Sequence, residues 1–232
     1  MTTRRNFIKN TVLSSTAIAV GSSVMGMPAS SYRRIIGSND RLNVAIAGLG
    51  RRLGAYYDPI AQKESNVNLM YLCDVMESQR LRAKENFSKI IDYTPKLEND
   101  IRKVIDDKKV DVLINATPDH WHAPGSIMAL KAGKNVYVEK PCSHNMNENE
   151  LLVEASKKFN KVVQMGNQQR SSPHTIEIIK EIHNGVIGNP YKAVAFYNNS
   201  RGEVPLQTKA AIPQGVDWEL WQGPAVHREY TD

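Results

Sequence analysis

The chain has 232 residues, 41% of them hydrophobic, which is enough for one well-filled core and part of a second. Its formal charge of +6 is carried partly by Arg4, Arg5 and Lys9 in an acid-free first thirty residues, and the remaining 27 basic and 24 acidic residues leave only +3. With no long Lys/Arg run, that balance argues against nucleic-acid binding, and the two cysteines, Cys73 and Cys142, supply neither a disulfide framework nor metal-ligand spacing.

Thr3-Arg4-Arg5-Asn6-Phe7-Ile8-Lys9 precedes a mildly apolar, Ser/Ala/Val-rich run from Thr11 to about Met27, too short and too polar for a membrane span. Paired arginines before such a run read as a twin-arginine export signal over residues 1–30. A periplasmic or exported location is therefore expected, with no stable membrane span in the mature form, or a cytoplasmic one if the signal is unused. Residues 31–41 read as a polar linker.

Leu42 to Ala47 reads as a buried strand, and Gly48-Leu49-Gly50 follows at once. Glycines between a strand and a helix let backbone N–H groups approach a pyrophosphate. Leu53 stands where a third glycine would complete the pattern and Gly54 comes one later, so the helix is expected to start differently. The next strand, Val67 to Cys73, ends at Asp74, 24 positions after Gly50. A carboxylate there accepts hydrogen bonds from ribose hydroxyls and repels a 2′-phosphate, favouring NAD over NADP. Arg51 and Arg52 blunt that preference, because a guanidinium can pair with either phosphate. Asp74 also reads as an N-cap for a helix from Met76 to Asn86.

A charged helix is expected from Leu97 to Lys108, then a buried strand from Val110 to Ala116. Its rim is Thr117-Pro118-Asp119-His120-Trp121-His122, read as a loop. Two histidines two apart lack a third ligand, so the cluster suits a cofactor ring better than a metal. Ala123 to Gly133 reads as the next helix, closed by its glycine. Asn135 to Pro141 is a short β-rich run whose carboxyl end delivers Glu139 and Lys140 to the crevice where open α/β sheets bind ligands, with Pro141 stopping the strand. A lysine fixed there can donate a hydrogen bond or, if desolvated, transfer a proton. Cys73 and Cys142 read as small buried residues near strand ends.

A helix from Asn147 to Phe159 and a strand from Lys161 to Gln164 follow, ending in the amide-rich Met165-Gly166-Asn167-Gln168-Gln169-Arg170. Then come a helix from Ile176 to Asn184, a turn at Gly188-Asn189-Pro190, strand material from Tyr191 to Tyr197, and an aromatic, turn-rich Val216 to Pro224. The alternation of β-runs and helix-runs predicts an α/β doubly wound parallel (Rossmann) sheet over 42–165, followed by a second unit over 166–232.

Gly48-x-Gly50, Asp74, Ala116-Thr117-Pro118-Asp119-His120-Trp121-His122 and Glu139-Lys140-Pro141, in this order and at these separations, resemble the glucose–fructose oxidoreductase / inositol dehydrogenase (Gfo/Idh/MocA) family over roughly 42–232. The twin-arginine start and Met165 to Arg170 resemble its exported bacterial members. The resemblance implies that Gly48, Gly50 and Asp74 hold the adenosine diphosphate half of NAD(P), with Arg51, Arg52, Thr117 and Pro118 in the cofactor-binding set. Trp121, His122, Glu139 and Asn167 would line the nicotinamide side, and Lys140 would orient the substrate hydroxyl and assist proton transfer. It further implies hydride transfer between nicotinamide and a sugar or polyol carbon, and a homo-oligomer at full length. The family's second domain is an α+β unit with an open antiparallel sheet and a catalytic histidine. This chain is expected to reach only its beginning, and His227 is not in a matching context. Two readings stay open beside the dehydrogenase: an NAD-dependent glycosidase acting by transient oxidation, and a truncated module that binds nucleotide without chemistry.

Overall fold

Strands and helices alternate from Leu42 onward because apolar runs of strand length are separated by longer, charged, helix-forming ones. The computed structural model describes residues 41–198, 202–203 and 205–232, so the expected export signal, and the linker up to residue 40, lie outside the described residues. Six strands, β1 (Leu42–Ala47), β2 (Val67–Cys73), β3 (Lys96–Glu98), β4 (Val112–Asn115), β5 (Asn135–Glu139) and β6 (Val163–Gly166), form one parallel sheet in the order β3-β2-β1-β4-β5-β6. The helices are α1 (Tyr57–Ala61), α2 (Glu77–Ser88), α3 (Ile101–Asp106), α4 (Asp119–Lys131), α5 (Met146–Phe159), α6 (Pro173–His183) and α7 (Trp218–Gln222). The expected doubly wound sheet is therefore present, and its strand order reverses at β1, which pairs with β2 on one side and β4 on the other. A crevice opens beyond the strand ends at such a switch point.

Both faces of the sheet are covered, which is why β1 and β5 read as near-continuous apolar runs. Ala45 and Ala47 of β1 and Val136 and Val138 of β5 join one core with Val104, Leu130 and Leu152 from α3, α4 and α5. Ile46 and Leu72 point the other way, into a second core with Leu53 and Phe87. Each large side chain buried in this way contributes roughly 1.5–3 kcal/mol.

The structure corrects several expectations. Leu97–Lys108 is not one helix: Lys96–Glu98 pairs with the end of β2, and α3 starts only where the Asp100 carboxylate accepts from Arg102 N. Asp119 to His122 is not loop but the first turn of α4, which starts after the extended Pro118 and runs through Pro124. Cys142 is half-buried, not buried; only Cys73 is enclosed. No strand forms at Tyr191–Tyr197; apart from the sheet, the described residues hold only two isolated antiparallel bridges, Met76 with Val216 and Lys209 with Thr231. A strand is defined by backbone pairing with a neighbour, and β-prone residue types alone do not supply that pairing. Among the described residues no helix is long and apolar enough to cross a membrane.

Candidate functional site

A cavity of about 620 Å³ opens at the carboxyl ends of β1, β2, β4 and β5, within the range of small-molecule sites. Gly48, Gly50, Arg51, Arg52, Asp74, Thr117, Pro118, Trp121, His122, Glu139 and Lys140 all line it, so the structure gathers these expected residues around one hollow. Asn167 is not among them: it is exposed and precedes the short helical turn Gln168–Ser171.

The glycine loop is pressed against β4. Gly48 has φ +88°, and a Cβ there would sit 2.2 Å from the Ala116 carbonyl oxygen and 2.3 Å from its carbon. Gly50 by contrast has open space around its Cα, so a ligand can approach the main chain. The departure at the third glycine now has a cause. Leu53 opens a 3₁₀ turn, Leu53–Tyr56, and buries its side chain in the core, while Gly54 meets nothing.

Asp74 is tied to this loop: its Oδ2 accepts from Leu49 N at 2.7 Å and its Oδ1 from Met76 N at 2.9 Å. It does not cap α2, whose N-cap position is Met76. Two arginines of α2, absent from the expected set, brace the same turn. Arg82 donates to the Leu49 carbonyl at 2.7 Å, and Arg80 donates to the Asp74 carbonyl.

Glu139 is the buried hub of the opposite wall. Its Oε1 accepts from Arg52 Nε at 2.9 Å and from the Tyr56 hydroxyl at 2.8 Å, and its Oε2 accepts from Gln168 Nε2 at 2.8 Å. Burial opposes its ionisation, but the hydrogen bonds from Arg52 and Tyr56 and the Arg52 charge outweigh that, so the carboxyl titrates below its ordinary value. Burial first, then the bond to Glu139, pushes the Tyr56 phenol up. Glu139 thus lines the cavity while spending most of its acceptor capacity on the protein, fixing Arg52 of the glycine loop to the end of β5. Tyr56 and Gln168 were missed from sequence, because nothing local marks a tyrosine 83 positions away as a partner.

The first turn of α4 is held from below by Asn115, fully buried at the end of β4. Its amide donates to the carbonyls of Trp121 (3.2 Å) and His122 (3.0 Å), and its Oδ1 accepts from Thr117 Oγ1 at 2.6 Å. A polar residue closing an apolar strand was the available signal. His122 is buried, with Nδ1 against the Pro141 carbonyl and Nε2 without a hydrogen-bond partner. His120 Nε2 instead lies 2.7 Å from the Trp221 carbonyl. The two imidazoles serve separate partners, and among the described residues no three His, Cys, Asp or Glu side chains cluster as a metal site would require. Lys140, exposed at the rim, is joined to Pro141 by a cis peptide.

The residues fit a dinucleotide on three observations: the open approach to the main chain at Gly50, a carboxylate at the end of β2, and an unpartnered buried imidazole nitrogen on a residue of the cavity wall.

Comparison with known proteins agrees. Residues 42–167 match the Gfo/Idh/MocA family, described as an oxidoreductase family with an NAD-binding Rossmann fold. Inositol 2-dehydrogenase of Salmonella paratyphi B is 27% identical over 181 residues, covering 77% of this chain and 52% of that protein. Glycosyl hydrolase family 109 protein 1 of a Shewanella species is 26% identical over 185 residues, covering 77% and 38%. Among solved structures, myo-inositol 2-dehydrogenase from Lactobacillus plantarum superposes with TM-score 0.57 at 27% identity, covering 64% of this chain and 42% of that one. Scyllo-inositol dehydrogenase from Lactobacillus casei, solved with NAD(H) and scyllo-inositol, gives 0.57 at 22% identity over 64% and 43%, a likeness of fold alone. The chain spans about half the length of the inositol dehydrogenase it matches.

Proposed function

The chain belongs to the Gfo/Idh/MocA oxidoreductase family, and from that premise we propose that it carries the cofactor-binding half of an NAD(P)-dependent dehydrogenase acting on a sugar or polyol. The observation that carries the reading is the single cavity onto which the glycine loop, Asp74 and Lys140 all open. In this reading the backbone of Gly48–Gly50 and the side chains of Arg51 and Arg52 face the pyrophosphate. Asp74 receives a ribose hydroxyl, which favours NAD over NADP. When bound, the nicotinamide supplies the acceptor for a hydride leaving the substrate carbon. Lys140 holds the substrate oxygen by hydrogen bonding and moves its proton as the carbonyl forms. Homo-oligomerisation at full length and export through a twin-arginine signal belong to the same proposal.

The relatives named glycosyl hydrolase family 109 favour a second reading, transient oxidation at the same site followed by glycosidic cleavage. One experiment addresses both. NAD and NADP are titrated into the protein by calorimetry, and absorbance at the NADH band is followed with a panel of polyols and glycosides. Tighter binding of NAD, and polyol-dependent NADH formation that Lys140→Ala abolishes while leaving NAD affinity in place, are the expected results. Glycoside cleavage without net NADH would establish the second reading. Absence of nucleotide binding, or full turnover by Lys140→Ala, would overturn the first.

A further inference from the structure

One wall of the cavity comes from far along the chain. Residues Gly215 to Gly223 run between the two loops that flank β1. On one side Glu77 N donates to the Gly215 carbonyl at 2.8 Å, Asp217 N donates to the Val75 carbonyl at 3.1 Å, and Met76 bridges Val216. These residues directly follow Asp74. On the other side the segment meets the first turn of α4, where Trp121 Nε1 donates to the carbonyls of Leu220 (2.9 Å) and Trp221 (3.1 Å). The Trp221 ring stands 4.9 Å from His120 and stacks on Trp218 at 4.7 Å, and Leu220 and Trp221 both line the cavity.

Gly223 completes the seat of the indole. Its φ is +48°, and a Cβ there would lie 2.1 Å from Trp121 Cζ2 and 2.6 Å from Nε1. The backbone therefore presses a side-chain-free Cα against one edge of the ring while two carbonyls hold its N–H. An indole fixed at these points cannot change rotamer without breaking its hydrogen bonds to the segment.

We propose that Gly215–Gly223 is a positioning element of the cofactor site, setting Trp121 through the Leu220 and Trp221 carbonyls and the bare Cα of Gly223, so that nucleotide affinity depends on this segment. The inference rests on the nucleotide reading of the cavity given above. Gly223 and the two carbonyls act through Trp121 and need not touch the ligand.

The test uses the 232-residue protein and NAD, with calorimetric affinities for wild type, Gly223→Ala, Trp121→Phe, the double variant and Val226→Ala. Val226 is exposed in the same region and lines no part of the cavity. Gly223→Ala and Trp121→Phe should each weaken NAD binding about tenfold, as expected for losing one or two ordinary hydrogen bonds. Val226→Ala should bind as wild type does. The double variant should be no weaker than the weaker single, because both changes act through one contact. The near-ultraviolet dichroism of the nucleotide-free protein should change in Gly223→Ala and not in Val226→Ala, which a uniform loss of stability would not produce. Wild-type affinity in Gly223→Ala, or single effects that multiply in the double variant, would overturn the inference. Should Gly223→Ala not fold, Trp121→Phe decides, and unchanged affinity there overturns it. If wild type binds NAD and the variants match it, only this inference fails; if wild type binds no NAD, the nucleotide reading fails with it.

Discussion

Replacing Glu139 by alanine removes the acceptor that three side chains share, and the three are not equally hurt. Arg52 is 41% exposed and Gln168 lies at the surface, so both can turn to water at little cost. Tyr56 cannot: its ring is enclosed in the core beside Tyr137, and its hydroxyl, 2.8 Å from Oε1, is left in a buried site without an acceptor. That orphaned phenol should cost roughly 1–3 kcal/mol. The reasoning is checked by urea unfolding of wild type, Glu139→Ala, Tyr56→Phe and the pair. In wild type, Tyr56→Phe breaks a bond to a charged group and should cost roughly 1.5–3 kcal/mol. With Glu139 already gone, the same change removes an unsatisfied hydroxyl and should be neutral or stabilising. If Tyr56→Phe costs the same in both backgrounds, Glu139 is not the partner that makes the buried phenol tolerable, and the hub has no energetic meaning.

Two further outcomes follow from the same wall and its neighbour. Because the Glu139 carboxyl titrates below its ordinary value in the folded protein, its stabilisation is fully present above the unfolded-state value and is lost as pH falls through the folded one. The stability gap between wild type and Glu139→Gln should therefore narrow as pH falls below the ordinary glutamate range, measured as urea midpoints; a gap that widens in acid would contradict the sign. Gly48→Ala should lose roughly 2–5 kcal/mol, since a left-handed backbone is strained for alanine and its Cβ meets main-chain atoms of Ala116 that cannot rotate away. A variant within about 0.5 kcal/mol of wild type would show that the loop yields, contrary to the close packing argued here.

Much of this architecture was legible in the sequence because apolar runs of strand length are bounded by the residues that stop them. The doubly wound class and five of the six strands follow from that alternation, and the carboxyl ends named in advance do converge on one cavity. What was misread has local causes. Leu97–Lys108 carries charges spaced like a helix, yet its first two residues, Leu97 and Glu98, join Lys96 in an edge strand on the unpaired side of β2. The His120–Trp121–His122 cluster was read as loop at the rim of a strand, although Pro118 is the extended residue from which α4 departs. Asn167 was assigned to the cavity from resemblance, but the chain turns at that point so that Gln168, one residue later, reaches Glu139. Tyr56, Asn115 and the Leu220–Gly223 segment were not assigned to the site because their meaning lies in partners far away or in main-chain atoms, which periodicity does not report.

Asn115 has a consequence for how the domain moves. One buried amide at the centre of the sheet holds the first-turn carbonyls of α4 and the hydroxyl of Thr117, so the helix start cannot fray while β4 stays paired. Helix ends are ordinarily the first parts of a protein to open, on timescales far shorter than global unfolding. Here that end is coupled to the strand beside β1, and opening the cavity wall it forms must first break the bonds from Asn115.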